Sequence, residues 1–154
     1  MNNFYPSVGL QEAIPAASRA AGSTDINCAT IDRKTSQAEC IGLNLEMGAI
    51  VAGAVTSFKW QGCADGDDTS VAANWHDLAG TKIDIADDDD DGYFWSELRT
   101  PVYRYVRAVV ERGTQNAAIR SALYVLGSTR QKLDFFGDDW EEHKVFLAPE
   151  AGTA

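Results

Sequence analysis

The residues best suited to chemistry are a run of aspartates, Asp87 to Asp91, which ends at Gly92. An EF-hand loop carries acidic ligands at positions 1, 3 and 5, glycine at position 6 and glutamate at position 12. Asp87, Asp89 and Asp91 match the three acidic positions. Leu98, however, stands where the glutamate is needed. The run is therefore expected to be a solvated, self-repelling turn, and these three aspartates are weak candidates for a loosely held cation.

Other reactive residues are sparse. The chain has two histidines, His76 and His143, and neither has a cysteine or glutamate partner at zinc-ligand spacing. The sequence also lacks the glycine patterns of a nucleophile elbow, a P-loop and a dinucleotide-binding turn. The sequence therefore predicts a protein that is not an enzyme and holds no cofactor.

The three cysteines, Cys28, Cys40 and Cys63, are an odd number and include no CxxC pair. A disulfide framework is expected to use an even number in a secreted chain, so this pattern favours buried or half-buried free thiols. A Cys28–Cys40 bridge stays open as an alternative if the strands that carry these residues pair.

Charge is distributed unevenly along the chain. The net charge is −10, from 23 acidic and 13 basic residues. Residues 63–98 hold the acidic excess, and the arginine-rich stretch 99–126 follows directly. Nucleic-acid binding requires cationic neutralisation of phosphates, so this chain is not expected to bind nucleic acid. Opposite patches favour head-to-tail association with copies of itself or with a larger assembly; an acidic loop beside an ordinary basic strand would explain the pattern equally well.

Three tryptophans offer a second kind of chemistry. Trp60, Trp75 and Trp95 could form a stacking platform for a sugar, so a carbohydrate-binding module is an alternative function. Trp60 lies on the apolar face of its predicted strand and is better explained as core. Trp95 follows the acidic turn and suits an anchor for a protein partner equally well.

The elements that must position these residues are strands. Apolar and polar residues alternate with a period of two, most clearly at Ile41, Leu43, Leu45 and Met47, which is typical of half-buried strands. Residues 117–126 fit a helix and a strand equally well, and we favour a strand because it completes a sandwich. The predicted strands are 24–31, 41–47, 56–61, 75–78, 82–85, 102–110 and 117–126. The predicted fold class is all-β, an antiparallel β-sandwich of jelly-roll or immunoglobulin-like type.

The two ends of the chain are predicted to lie outside this sandwich. Residues 1–22 are predicted to form an extended N-terminal arm, residues 23–127 the sandwich and residues 128–154 a C-terminal extension. Asp138 followed by Glu141 resembles a helix N-cap with its capping-box partner. The residues predicted to contact partner proteins are Phe4, Tyr5, Pro6, Arg19, Trp95, Phe135, Phe136 and Trp140.

Targeting signals are not expected. No basic residue precedes Arg19, and residues 1–17 lack the apolar segment of a signal peptide. The longest run of apolar residues and glycine, Met47–Val55, is too short to span a membrane. The sequence therefore predicts a soluble protein made in the cytoplasm, with no membrane partner.

The middle of the chain resembles a known group of proteins. Trp60-Gln61-Gly62 is followed by Asp65-Gly66 and by the stretch from Trp75 to Thr81, WHDLAGT. The later stretch from Arg99 to Arg107, RTPVYRYVR, is an arginine-flanked strand. Over roughly residues 16–127, this pattern is similar to that of tailed-bacteriophage virion proteins, including capsid decoration (cement) proteins.

The resemblance implies a function and a location. Decoration proteins of this type are β-sandwiches that sit on the outer surface of the phage head and clamp the major capsid protein, without catalytic residues. The expected partners are the major capsid protein and copies of this chain, with a homotrimer or another homo-oligomer as a form it could take on the particle. The expected location is the outer capsid surface, after synthesis in the host cytoplasm. A head–tail connector or tail protein of the same virion is the alternative.

Overall fold

Strands dominate the structure, a computed structural model that describes residues 9–127, 140–147 and 149–154; for residues 140–143 the description covers the backbone. One short α-helix, α1 (Arg33–Ser36), and two 3-10 helices, Ala16–Ser18 and Ala72–Asn74, lie between the strands of the described part. The strands are β1 (Gly9–Glu12), β2 (Ile26–Asn27), β3 (Ile31–Asp32), β4 (Cys40–Ile50), β5 (Thr56–Cys63), β6 (His76–Asp77), β7 (Ile83–Ile85), β8 (Tyr93–Arg99), β9 (Tyr105–Arg112), β10 (Ala117–Gly127) and β11 (Trp140–Leu147).

These strands form two packed sheets. The five-stranded sheet has the order β1-β10-β4-β8-β11, and the six-stranded sheet has the order β2-β9-β5-β6, with β3 beside β9 and β7 beside β5. Strand pairs are antiparallel except β8 with β11, which is parallel. A parallel pair needs a long connection, and β9 and β10 both lie between β8 and β11 along the chain. The predicted all-β sandwich is confirmed.

The core lies between the sheets. Ile41, Leu43 and Leu45 of β4 are fully buried, as their alternation predicts. Across the interface, the ring of Trp60 on β5 stacks on Tyr124 of β10 with centroids 5.9 Å apart. The buried indole Nε1 of Trp60 donates a hydrogen bond to Ser96 Oγ of β8 at 2.7 Å. Trp60 therefore joins the two sheets by packing and by a hydrogen bond, and its predicted place in the core is confirmed.

The ambiguous segment 117–126 is a strand. β10 lies between β1 and β4, and its hydrogen bonds to β4 run along most of both strands. Burial of Ala122 and Tyr124 on one face, with Leu123 exposed between them, gives the period of a strand. The long-range pairing decides the structure that local periodicity leaves open.

The described part of the predicted N-terminal arm packs against the sandwich. β1 pairs with β10, and the following residues Ala13 and Ile14 are fully buried. Arg112 of β9 donates hydrogen bonds to the carbonyls of Ala20 and Thr24 at 2.8 and 2.9 Å. Residues 9–24 therefore belong to the folded unit, because apolar burial and an arginine hold them there.

Two local expectations need correction. Residues 140–147 form β11, so the helix suggested by Asp138 and Glu141 does not begin there; Asp138 itself lies outside the described residues. The strand predicted to open at Val102 begins only at Tyr105. Arg33 explains why the strand begins later than predicted. Its guanidinium donates hydrogen bonds to the carbonyls of Pro101 and Tyr103 and holds this stretch as a loop. Among the residues that the structure describes, no helix is both long and apolar enough to cross a lipid bilayer.

Candidate interaction surfaces

The outer face of the five-stranded sheet carries exposed apolar side chains. Leu10 of β1 is 71 % exposed and Leu147 of β11 is 75 % exposed. Strand alternation places further apolar residues on the same face, since Phe94, Tyr124 and Phe146 point into the core. We define the apolar face as Leu10, Tyr93, Leu123, Val145 and Leu147. The other large exposed hydrophobic residues of the described part, all valines, lie in loops and not on a sheet.

The side chain of Trp95 covers the centre of this face. The ring of Trp95 lies directly over Gly42, where a Cβ would overlap it, and packs with Cys40 and Val125. Trp95 is only 2 % exposed, so it is not the surface anchor that its position beside the acidic turn suggested. A glycine diagonally across from a tryptophan on the neighbouring strand is the signal that would have indicated this packing, since Trp95 itself pairs with Asn44.

Beside Trp95, a buried carboxylate holds a thiol and a guanidinium. Glu97 is fully buried, accepts a hydrogen bond from Cys40 Sγ and pairs with Arg99 Nε at 2.8 Å. Burial, together with the hydrogen bond and charge of Glu97, raises the pKa of Cys40 to about 12. A reactive cysteine needs a lowered pKa, so this thiol is protonated and structural.

All three cysteines are free and buried. Burial raises the pKa of Cys28 to about 12 against the smaller opposing effect of Tyr124. Burial also raises the pKa of Cys63. The prediction of free thiols is confirmed, and the alternative Cys28–Cys40 bridge is not formed.

The outer face of the six-stranded sheet is polar and internally paired. Lys59 lies 2.8 Å from Asp77 and 2.7 Å from Glu111. Burial acts to raise the pKa of both carboxyl groups, but the hydrogen bonds and charge of Lys59, with a hydrogen bond from Gln61 to Asp77 and from Ser57 to Glu111, outweigh it and lower both values. Arg107 binds Gln61 and places its guanidinium over the Trp75 ring, 4.1 Å from the centroid. This face satisfies its own charges.

The tryptophans proposed as a sugar platform are not open to a ligand. Trp60 and Trp95 are in the packed sites described above, and Trp75 is 7 % exposed beneath Arg107. Stacking on a sugar needs an open aromatic face. These three residues therefore offer no such platform in the folded chain.

Residues 86–92, which contain the aspartate run, form a loop that we call the acidic loop. Asp87 and Asp90 accept hydrogen bonds from the backbone amides of Gly53 and Ile50. Asp89 accepts one from Ala86 at 2.8 Å, and Asp91 pairs with Arg120 at 2.7 Å. The candidate ligands Asp87, Asp89 and Asp91 thus bind separate partners, and the described residues hold no group of three side chains able to bind a metal ion.

A groove that sequence reasoning missed lies at one end of the sandwich. Its volume is about 610 Å³. Arg104 at its wall binds both oxygens of Asp32, at 3.0 and 2.8 Å, and Asp65 at 2.7 Å. The hydrogen bonds from Arg104 hold the pKa of Asp32 and of Asp65 below their usual range. We call it the basic groove, lined by Arg33, Lys34, Asp65, Val102, Tyr103 and Arg104.

The remaining predicted contact residues have three different outcomes. Arg19 acts within the chain: its guanidinium binds the carbonyl of Ile14 at 2.8 Å and the carboxylate of Glu12 at 2.6 Å. Trp140 lies in β11 by its backbone, and its side chain is outside the description. Phe4, Tyr5, Pro6, Phe135 and Phe136 lie outside the described residues.

Comparison of the chain with protein-family models, with curated proteins and with solved structures gave no significant match.

Proposed function

We propose that this chain is a non-enzymatic structural protein of a tailed-phage virion, a decoration protein that binds the outer surface of the head through its apolar face. The observation that carries the proposal is the contrast between its two sheet surfaces. One surface pairs its own charges around Lys59, whereas the other exposes Leu10 and Leu147 at opposite edges of a sheet. Exposed apolar side chains grouped on one face of a sheet are candidates for contact with a protein partner.

The chemistry of the described residues also supports a binding role. The buried thiols have raised pKa values, and the best candidate metal ligands are used to fold a loop. The resemblance of residues 16–127 to virion proteins supplies the class of partner, the major capsid protein. The strong negative charge suits an outer position better than one that faces packaged DNA.

Two substitutions test the proposal. We expect Leu10→Asp and Leu147→Asp each to lower the affinity for heads by about tenfold or more, because each puts a charge into an apolar contact. Both side chains are largely exposed, so the fold should be retained. Cosedimentation with heads purified from a phage that lacks this gene measures the affinity.

Val71→Asp is the matched control, because Val71 is also exposed but lies in the loop before Trp75, away from the apolar face. It should bind heads like the unchanged chain. Equal binding by all three variants would contradict the role of the apolar face. Absence of binding by the unchanged chain would contradict the decoration function itself.

A further inference from the structure

The basic groove adjoins a second cavity near the start of β9. The groove has a volume of about 610 Å³, and the second cavity, of about 300 Å³, is lined by Val102, Tyr103, Glu150 and Ala151. Val102 and Tyr103 line both cavities. Each volume lies in the range of small-molecule sites, roughly 300–1,000 Å³. We call the two cavities together the trough, with Val102 and Tyr103 at its middle.

The middle of the trough is apolar and held in place. Val102 is 64 % exposed. The ring of Tyr103 packs over Gly62, and its centroid lies 6.3 Å from that of the His76 ring. Arg33 donates a hydrogen bond to the Tyr103 carbonyl at 2.9 Å. Tyr103 is half-buried, so a fixed and partly accessible aromatic side chain lines the trough.

The charges of the basic groove are balanced. Each of its cations has a carboxylate nearby: Arg104 has Asp32 and Asp65, Lys34 has Asp65, and Arg33 has Glu39. The groove therefore has no uncompensated positive charge to attract an anion. The net charge of −10 also repels anions from the chain as a whole. A ligand of this trough is therefore expected to be uncharged.

Polar groups at both ends of the trough keep capacity for further hydrogen bonds. Asp65 Oδ1 accepts from Arg104 at 2.7 Å, whereas its Oδ2 lies 4.0 Å from Lys34 Nζ, beyond hydrogen-bonding distance. The Lys34 side chain is 70 % exposed. Glu150 is exposed at the second cavity, and its carbonyl accepts from the Ala79 amide at 2.7 Å, which fixes its backbone. A group that both donates to carboxylates and accepts from an ammonium is a hydroxyl.

We propose that the trough binds a neutral oligosaccharide. One sugar ring packs its apolar face on Tyr103 and Val102, and hydroxyl groups bind Asp65, Lys34 and Glu150. So few contacts give weak binding, with a Kd of about 0.1–1 mM. The site is separate from the three tryptophans excluded above. It uses no residue of the apolar face, so it does not rest on the proposed function.

Amide NMR spectra of the isotope-labelled full chain, recorded while sugars are added, test the proposal. The probes are neutral tetrasaccharides of glucose, mannose, galactose and N-acetylglucosamine, with a tetrasaccharide of galacturonic acid as the anionic comparison. We expect at least one neutral probe to shift the amide signals of Lys34, Asp65, Tyr103 and Ala151 in a saturable way. The anionic probe should bind at least about tenfold more weakly than the best neutral probe, because its carboxylates meet those of the trough.

Two exposed side chains identify the site. Lys34→Ala and Glu150→Ala should each weaken binding of the best neutral probe by about tenfold, because each removes hydrogen bonds to a charged group. Both side chains are exposed, so the fold should be retained. Lys82→Ala is the matched control, since Lys82 pairs with Asp84 on the surface and lines neither cavity. It should bind the probe like the unchanged chain.

The absence of saturable shifts with every neutral probe, or shifts confined to other surfaces, would overturn the proposal. Tighter binding of the anionic probe than of every neutral one would overturn the assigned ligand chemistry. Equal affinity of Lys34→Ala, Glu150→Ala and Lys82→Ala would overturn the assigned residues. Head binding is measured separately with the apolar-face variants, so failure of the sugar site is distinguishable from failure of the decoration function.

Discussion

At the scale of single residues, two glycines create the spaces in which aromatic rings pack. A Cβ at Gly42 would overlap the ring of Trp95, and a Cβ at Gly62 would overlap the ring of Tyr103. Neither glycine has a positive φ angle, so the requirement is for space and not for backbone freedom. Both rings close a surface of the sandwich, one over the five-stranded sheet and one beside the basic groove.

Replacing Gly42 with alanine should destabilise the fold. We expect Gly42→Ala to lower the free energy of unfolding by about 1–3 kcal/mol, because Trp95 must leave its packed position to admit a methyl group. Gly127→Ala is the control, since among the described residues a Cβ there meets no atom within 4 Å. Urea denaturation of both variants measures the difference. Equal stability of the two variants would contradict the packing described for Trp95.

The Cys40 thiol predicts how stability depends on pH. The unfolded thiol has its ordinary pKa of 9.0, whereas the folded thiol has a pKa of about 12. A raised pKa contributes stability in full below the unfolded value and loses it as the pH rises through the folded value. Between pH 9 and 12, the loss attributable to Cys40 should be at most about 1.4 kcal/mol per pH unit.

Cys40→Ser isolates this contribution, because serine can still donate a hydrogen bond to Glu97 but does not ionise in this range. Denaturation midpoints from about pH 7 to about pH 11 should therefore fall less steeply for Cys40→Ser than for the unchanged chain. Parallel profiles would contradict the buried, protonated thiol.

At the scale of elements, Arg112 of β9 holds the N-terminal segment against the sandwich through hydrogen bonds. Besides the carbonyls of Ala20 and Thr24, it binds the carbonyl of Ala117 at 3.0 Å, at the start of β10. Gly22 and Ala117 pair through backbone hydrogen bonds beside it. One guanidinium thus satisfies three carbonyls from two segments, which a lysine cannot do with the same geometry.

Arg112→Lys should therefore loosen this region. We expect a loss of about 2 kcal/mol or more of unfolding free energy, because the buried carbonyl of Ala117 and the partly buried bonds to Ala20 and Thr24 lose their donors. Hydrogen exchange at the amides of Gly22 and Ala117 should also accelerate. Arg120→Lys is the control: Arg120 is half-exposed and pairs with Asp91, so its replacement should change stability by less than about 0.5 kcal/mol. Unchanged exchange at Gly22 would contradict the fastening role.

The elements also show how far the sequence predicts this fold. Strands with strict alternation, such as β4 around Leu43, are predicted because burial on one face is visible in the local pattern. β1 and β11 are not predicted as sheet edges, since their pairing with β10 and β8 is long-range. The basic groove is missed for the same reason: Arg33, Asp65 and Arg104 are far apart in the chain, and only the tertiary fold brings them together.

At the scale of the whole molecule, the outer faces of the two sheets differ in what they leave available for binding. The charged face around Lys59 is satisfied internally, whereas the apolar face exposes Leu10 and Leu147. In the proposed decoration role, the apolar face is the surface that attaches the chain to the shell. The negative charge of −10 suits a position on the outside of a particle filled with DNA.

The copy number of the chain in purified particles tests the proposed function most directly. Under the proposed function, quantitative mass spectrometry of purified phage particles, with the major capsid protein as internal reference, gives the ratio. A decoration role predicts a number of copies comparable to that of the shell subunits. A few copies per particle would place the chain at the neck or tail instead, and its absence from particles would contradict a virion role altogether.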